Sequence, residues 1–232
     1  LYKVNWIKTL YVNFKMFSFS EAVKLPVVIF GKCSLVNLSG KIKFESSVKF
    51  GMLGLGQRYE VFKIDAGVAE LNIQGNLILK DKAQFGYDYK IFIAKNAELR
   101  IGNMSSMASG AKVICTKKIV LGDFCRMGSE CQLIDTNFHD LKNPLTNEIA
   151  IRNSEIHLGS FNFISNRVSI MGKTNTGDHI TVASNTLLNK NYTSLGQHIL
   201  IGGIPARKIK DNISRDWETE KEELLDYLTI KL

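Results

Sequence analysis

The chain has 232 residues, 45% of them hydrophobic, and a formal charge of +8 from 30 basic and 22 acidic side chains. That is enough apolar material to pack one domain, which excludes a largely disordered chain, and the positive balance favours anionic partners such as nucleotides, phosphates or an anionic membrane surface. The longest apolar run, Leu25–Phe30, falls far short of the roughly 20 residues that span a bilayer, and neither a Lys/Arg block nor a base-stacking aromatic pattern speaks for nucleic acid.

Residues 1–30 read as one or two short helices, over Asn5–Phe17 and Ser20–Leu25, that close one end of the molecule before Pro26. Lys3, Lys8, Lys15 and Lys24 stand among Trp6, Tyr11, Phe14 and Phe17, a mixture that suits an amphipathic cap on the core or a contact with an anionic membrane. From Leu35 to Leu79 the pattern is one of irregular strands with turns at Gly40, Gly54, Gly56 and Gly75, read as early, imperfect coils of the repeat that follows.

That repeat has a period of six. Stepping from Leu158 gives Ile164, Ile170, Thr176, Val182 and Leu188; earlier registers run Ile101, Met107, Val113 and Leu121, Met127, Leu133, offset by two residues at a corner insertion. Four places after the aliphatic position come compact residues: Ser105, Ala111, Cys125, Cys131, Val168, Thr174 and Thr186. Neither strand alternation nor a helical period gives a step of six, whereas a triangular solenoid with three short faces in each coil does, and its corners have room only for small inward side chains. Each coil then takes about 18 residues and stacks on the next at roughly 4.8 Å.

Phe138–Ser154 interrupts the repeat, contains Asn143-Pro144, and reads as an excursion loop of the kind that carries function on a regular scaffold. After the last repeat Ser214 is the expected N-cap of a charged helix with Trp217, Leu224, Leu225 and Leu228 on one face. The division expected is therefore a helical cap over 1–30, a solenoid domain over 31–210 with its loop at 138–154, and a terminal helix over 211–232. Cys33, Cys115, Cys125 and Cys131 lack metal-ligand or disulfide-framework spacing, so a reduced, cytoplasmic protein without a metal is expected, with Cys125 and Cys131 packed inward.

Three segments resemble the hexapeptide-repeat acyltransferases, and more closely their saccharide O-acetyltransferase members. They are Asp135-Thr136-Asn137-Phe138-His139-Asp140, the coil Leu158-Gly159-Ser160-Phe161-Asn162-Phe163-Ile164-Ser165-Asn166, and the closing Ile201-Gly202-Gly203-Ile204-Pro205-Ala206-Arg207. The likeness covers about residues 93–210. It implies a left-handed parallel β-helix, acetyl-CoA as acyl donor, a homotrimer with sites between subunits, and a saccharide acceptor.

Imidazole titrates near neutral pH and so suits the base that such a transfer needs. The resemblance places that base at His139. The acid that orients the ring is open among Asp135, Asp140, Glu148 and Glu155. By resemblance Asn166 meets the thioester end, Ser184 lies where the main chain approaches the pantetheine arm, and Lys190, with Asn189 beside it, and Arg207 meet the phosphates. Phe163 stands where the family has Trp, Ser165 and Asn185 where it has Gly, and no Asn occurs near Ser109–Ala111. Asn tolerates left-handed backbone best after Gly, so the turn at Asn185 survives. N-acetylation of a nucleotide-linked amino sugar and a non-catalytic trimeric scaffold are the alternatives. His157 and His179, read as corner residues, and His198, read as lying beyond the last repeat, are expected to be structural or solvent-exposed.

Overall fold

A computed structural model describes residues 3–57 and 67–230; the part of the Leu35–Leu79 stretch that spans 58–66 lies outside them. Successive short strands fall on three different faces, and each pairs in parallel with the strand above it on its own face, except that the last, Arg207–Asp211, returns antiparallel along Ile199–Gly202. Thus Val27–Ile29 pairs with Leu53–Leu55, and that with Ala83–Phe85. Among the described residues the first face holds nine strands, the second seven and the third five. The chain is a three-sided parallel solenoid, and regular coils begin at Val27, well upstream of the clear hexads. Gly54, expected in a turn, is instead the middle of a strand, where its bare Cα leaves room for the Gln84 side chain.

The hexad positions are what close this shape. Met107, Met127, Ile164, Val182 and Ile201 stack in register along the first face, and Val113, Leu133, Ile170 and Leu188 along the second, all buried. The compact corner residues are buried with them. Thr176, the one polar member of the ladder, keeps its hydroxyl satisfied by accepting from Asn162 Nδ2 at 2.9 Å and the Gly159 amide at 3.2 Å. Where the hexad step stretches by two, between Val113 and Leu121, the corner at Thr116-Lys117 holds the extra residues.

At the corner between the third and first faces, Gly102, Gly122 and Gly159 stack main chain on main chain. A Cβ on Gly122 would stand 2.5 Å from the carbonyl carbon of Gly159. Backbone on both sides cannot yield as a side chain would, so Gly122→Ala is expected to cost about 2–3 kcal/mol and lower Tm by about 5 °C or more, read from a thermal melt.

The N-terminal end carries helices α1 (Trp6–Met16) and α2 (Phe19–Ala22). A sheet edge presents unpaired N–H and C=O groups, and α1 meets those of Val27–Ile29 with polar side chains. Asn13 accepts from the Val27 amide at 3.1 Å and donates to the Val27 carbonyl at 2.6 Å, while Thr9 accepts from the Ile29 amide at 3.0 Å. At the other end α3 (Trp217–Leu228) is capped by Asp216, whose side chain accepts from the Thr219 amide, and not by Ser214. It folds back along the solenoid and buries Trp217, Leu224 and Leu228 against Met104 and Phe124; Leu225, expected on that face, is exposed.

Candidate active site

The excursion leaves the second face after Gln132–Ile134 and returns at Ile156–Leu158 as a two-stranded arm, with antiparallel bridges at Thr136–Asn153 and Lys142–Ile149. The arm turns at Asn143, whose side chain accepts from the Leu145 amide at 2.9 Å. His139 lies near its root, exposed, just after Phe138, whose φ is +59°. Among the described residues its ring makes no hydrogen bond or ion pair within the chain.

None of the four candidate acids reaches that ring in one copy. Asp135 is fully buried and clasps the extended corner of the coil below. One of its oxygens accepts from Thr116 N at 2.7 Å and Thr116 Oγ1 at 2.8 Å, the other from Lys117 N at 2.7 Å and Lys118 N at 3.1 Å. Asp140 forms a two-pronged pair with Arg152, at 3.0 and 2.7 Å, across the arm. Glu148 accepts from Thr146, and Glu155 sits between His157 at 2.9 Å and Lys117 at 3.4 Å. A cleft of about 290 Å³ opens at the arm's root, lined by Asn137, Arg152, Lys173 and Asn189 together with Asp135 and Thr136. Two cations and two amides, set among Ile151, Met171 and Leu187, suit a ligand that carries hydroxyl or anionic groups on an apolar frame.

The five residues predicted to hold the donor divide into two groups. Asn166 and Ser184 lie one coil apart at the corner between the first and second faces. The closing turn joins them there, since the Leu187 amide donates to the Gly203 carbonyl and the Ala206 amide to that of Leu187, which brings Arg207 to the same edge. Asn166 Oδ1 accepts from the Ser129 amide at 2.9 Å, and Asn185 has the left-handed φ of +55° that its place in the turn demands. Asn189 and Lys190 lie at the opposite edge of the second face, beside the arm, on the order of 15–20 Å away at strand rise. Arg207 and Lys190 are exposed and, among the described residues, in no ion pair; Lys190 lies 5.7 Å from the Tyr192 ring centroid.

His157 lies within a strand rather than at a corner. His179 and His198 are both corner residues, with φ of +56° and +53°, so the coils continue past the last aliphatic hexad. Their rings stack at 4.5 Å, in line with Phe161 and Phe124, and Trp217 meets Phe124 and Phe161 edge-on. This column was not apparent from the sequence; its signal is an aromatic or His recurring two places after the corner glycine. Burial, then the neighbouring His198, hold His179 below its ordinary pKa of 6.5, with Asp178 opposing them. The unfolded chain therefore binds the proton more readily. Stability from this group is complete above that ordinary value and is lost as pH falls through it. Tm should fall from about pH 7.5 to about pH 5.5, and fall less in His179→Asn, which keeps a residue tolerant of left-handed backbone.

All four cysteines are buried and free. Burial and the neighbouring Cys131 push Cys125 up to about 12, and burial pushes Cys131 up to about 11, so neither supplies a thiolate nucleophile near neutral pH. Among the described residues no group of three or more His, Cys, Asp or Glu is placed to hold a metal ion.

No protein-family model matches the sequence, and no curated protein sequence matches it. Solved structures do. The polysialic acid-specific acetyltransferase NeuO aligns over 87% of this chain and 85% of its own at 17% identity, with a TM-score of 0.51. A point mutant of AntD, an N-acyltransferase from Bacillus cereus, in complex with dTDP and coenzyme A, aligns over 91% and 98% at 16% identity, TM-score 0.47. The polysialic acid O-acetyltransferase OatWY aligns over 86% and 84% at 16% identity, TM-score 0.44.

The solenoid is a left-handed parallel β-helix. It is the fold of the hexapeptide-repeat acyltransferases, with a helical cap at one end and a packed helix at the other.

Proposed function

We propose that the chain is an acetyl-CoA-dependent O-acetyltransferase that modifies a saccharide hydroxyl, with His139 as general base. The observation that carries this reading is the placement of His139. The excursion arm carries, among the described residues, an imidazole with no partner of its own, two residues along the chain from Asn137, which lines the cleft at the arm's root. In the step envisaged, His139 takes the proton of the sugar hydroxyl as its oxygen attacks the thioester carbonyl. A main-chain amide meets the developing oxyanion, the C–S bond breaks, and the coenzyme A thiolate recovers the proton from the imidazolium. An ester and free coenzyme A result, with no covalent enzyme intermediate.

The split of the donor residues supports a site shared between copies in a homotrimer, which closes by symmetry. Asn166, Ser184 and Arg207 on one copy would hold the pantetheine and a phosphate. The arm of its neighbour, with His139, would bring the base and the acceptor, and Asn189 and Lys190 beside that arm would complete the contacts to the donor's phosphates across the interface. In such an assembly the acid that orients His139 comes from the neighbour or is replaced by solvent, because the four local acids are engaged elsewhere.

The test is to incubate the purified protein with acetyl-CoA and a panel of saccharides and to follow release of free thiol. The product's mass and base lability separate an ester from the amide that acylation of an amino sugar would give. A protein that shows neither a thermal shift with acetyl-CoA nor any transfer is a scaffold, and the proposal fails.

A further inference from the structure

Helix α1 faces the wrong way for a core helix. On its inward side Asn5, Thr9 and Asn13 cap the open edge of the first strand while Val12 enters the core and Met16 packs beside it, and its other large apolar side chains are left in solvent. Ile7, Leu10, Tyr11 and Phe14 stand at helical spacing on that outer side, with Trp6 before them and Phe19 of α2 beyond; Ile7 is 83% and Phe19 76% exposed. Sheet hydrogen bonds run along the solenoid axis, so a helix bonded to the free strand edge closes the axial end and its opposite side looks outward along the axis.

Charge names the occupant of that side. Residues 1–44 contain seven lysines and one acid, Glu21, a net +6 out of the whole chain's +8. Glu21 is engaged with Ser18, whereas Lys15 and Lys24 are exposed beside the apolar strip. A second copy docked on this end would set like charges against each other. An anionic bilayer meets both features: the apolar strip enters the boundary between headgroups and acyl chains, Trp6 and Tyr11 sit at headgroup level, and the lysines meet lipid phosphates. No helix among the described residues is long and apolar enough to cross a membrane.

We infer that the N-terminal end of the solenoid is a docking face for an anionic lipid surface. The inference does not depend on acyl transfer. It stands the solenoid upright on the bilayer, with the root of the excursion arm four coils, or roughly 19 Å, from the first strand.

The experiment is co-sedimentation of the whole chain with vesicles of phosphatidylcholine alone and with about one third phosphatidylglycerol. Binding is expected to the anionic vesicles, weakened by salt. It should drop about tenfold or more in Ile7→Gln/Phe19→Gln, and likewise in Lys15→Glu/Lys24→Glu. These side chains are exposed, so the variants should melt as the parent does. Brominated lipid should quench Trp6 and leave the buried Trp217 unchanged. Absence of binding to anionic vesicles, binding that both variants retain, or variants that instead dissociate an oligomer in lipid-free solution would each overturn the inference.

Discussion

His139→Ala is expected to lower acetyl transfer by about two to four orders of magnitude, the range over which a positioned general base contributes. Assembly and acetyl-CoA binding should not change. The structural reason for the second expectation is that the ring is exposed and makes no bond within the chain, so its loss leaves no buried partner unsatisfied. The residues proposed to hold the donor, Asn166, Ser184 and Arg207, lie at the corner between the first and second faces, at the opposite edge of the second face from the arm. Activity, the thermal shift produced by acetyl-CoA and the elution volume should therefore separate cleanly, with the first collapsing and the other two matching the parent. Near-normal turnover in this variant would remove His139 from the mechanism.

The scaffold was legible because the period of six has one geometric solution, and each hexad residue from Ile101 to Leu188 points into the core. Legibility failed where main-chain groups, rather than hydrophobic burial, chose the outcome. In α1 the aromatic and aliphatic residues suggest the buried face, yet Thr9 and Asn13 are buried beside Val12 while Phe14 is exposed, because a sheet edge needs hydrogen-bonding partners more than the helix needs to hide Phe14. The same holds at the site. His139 is apparent from its loop and its flanking segment, but Asp135 and Asp140 look alike beside it in sequence. Only the fold shows that one serves a corner 17 to 19 residues upstream and the other an arginine across the arm. The five residues proposed to hold the donor likewise read as one group along the chain and lie at two edges of one face, since a strand of a few residues separates corners that sequence distance makes neighbours.

That distinction between the two aspartates leads to an opposite expectation for Asp135→Ala. Removing this carboxylate takes away four hydrogen bonds at a site with no solvent access and leaves the Thr116, Lys117 and Lys118 amides without their acceptor. Each buried donor so stranded costs about 1–3 kcal/mol. Partial relaxation of the corner brings the sum to about 4 kcal/mol, a fall in Tm on the order of 10 °C for a chain of this size. Asp135→Asn should also be destabilised, because its amide nitrogen turns a donor toward amides that need an acceptor. Since the arm that carries His139 begins at the next residue, transfer should fall together with stability and recover in part at temperatures well below the melt. A catalytic acid would behave otherwise: activity would be lost with the melting curve in place. An Asp135→Ala protein that melts within about 2 °C of the parent would refute the corner assignment, since so small a change corresponds to less than about 1 kcal/mol.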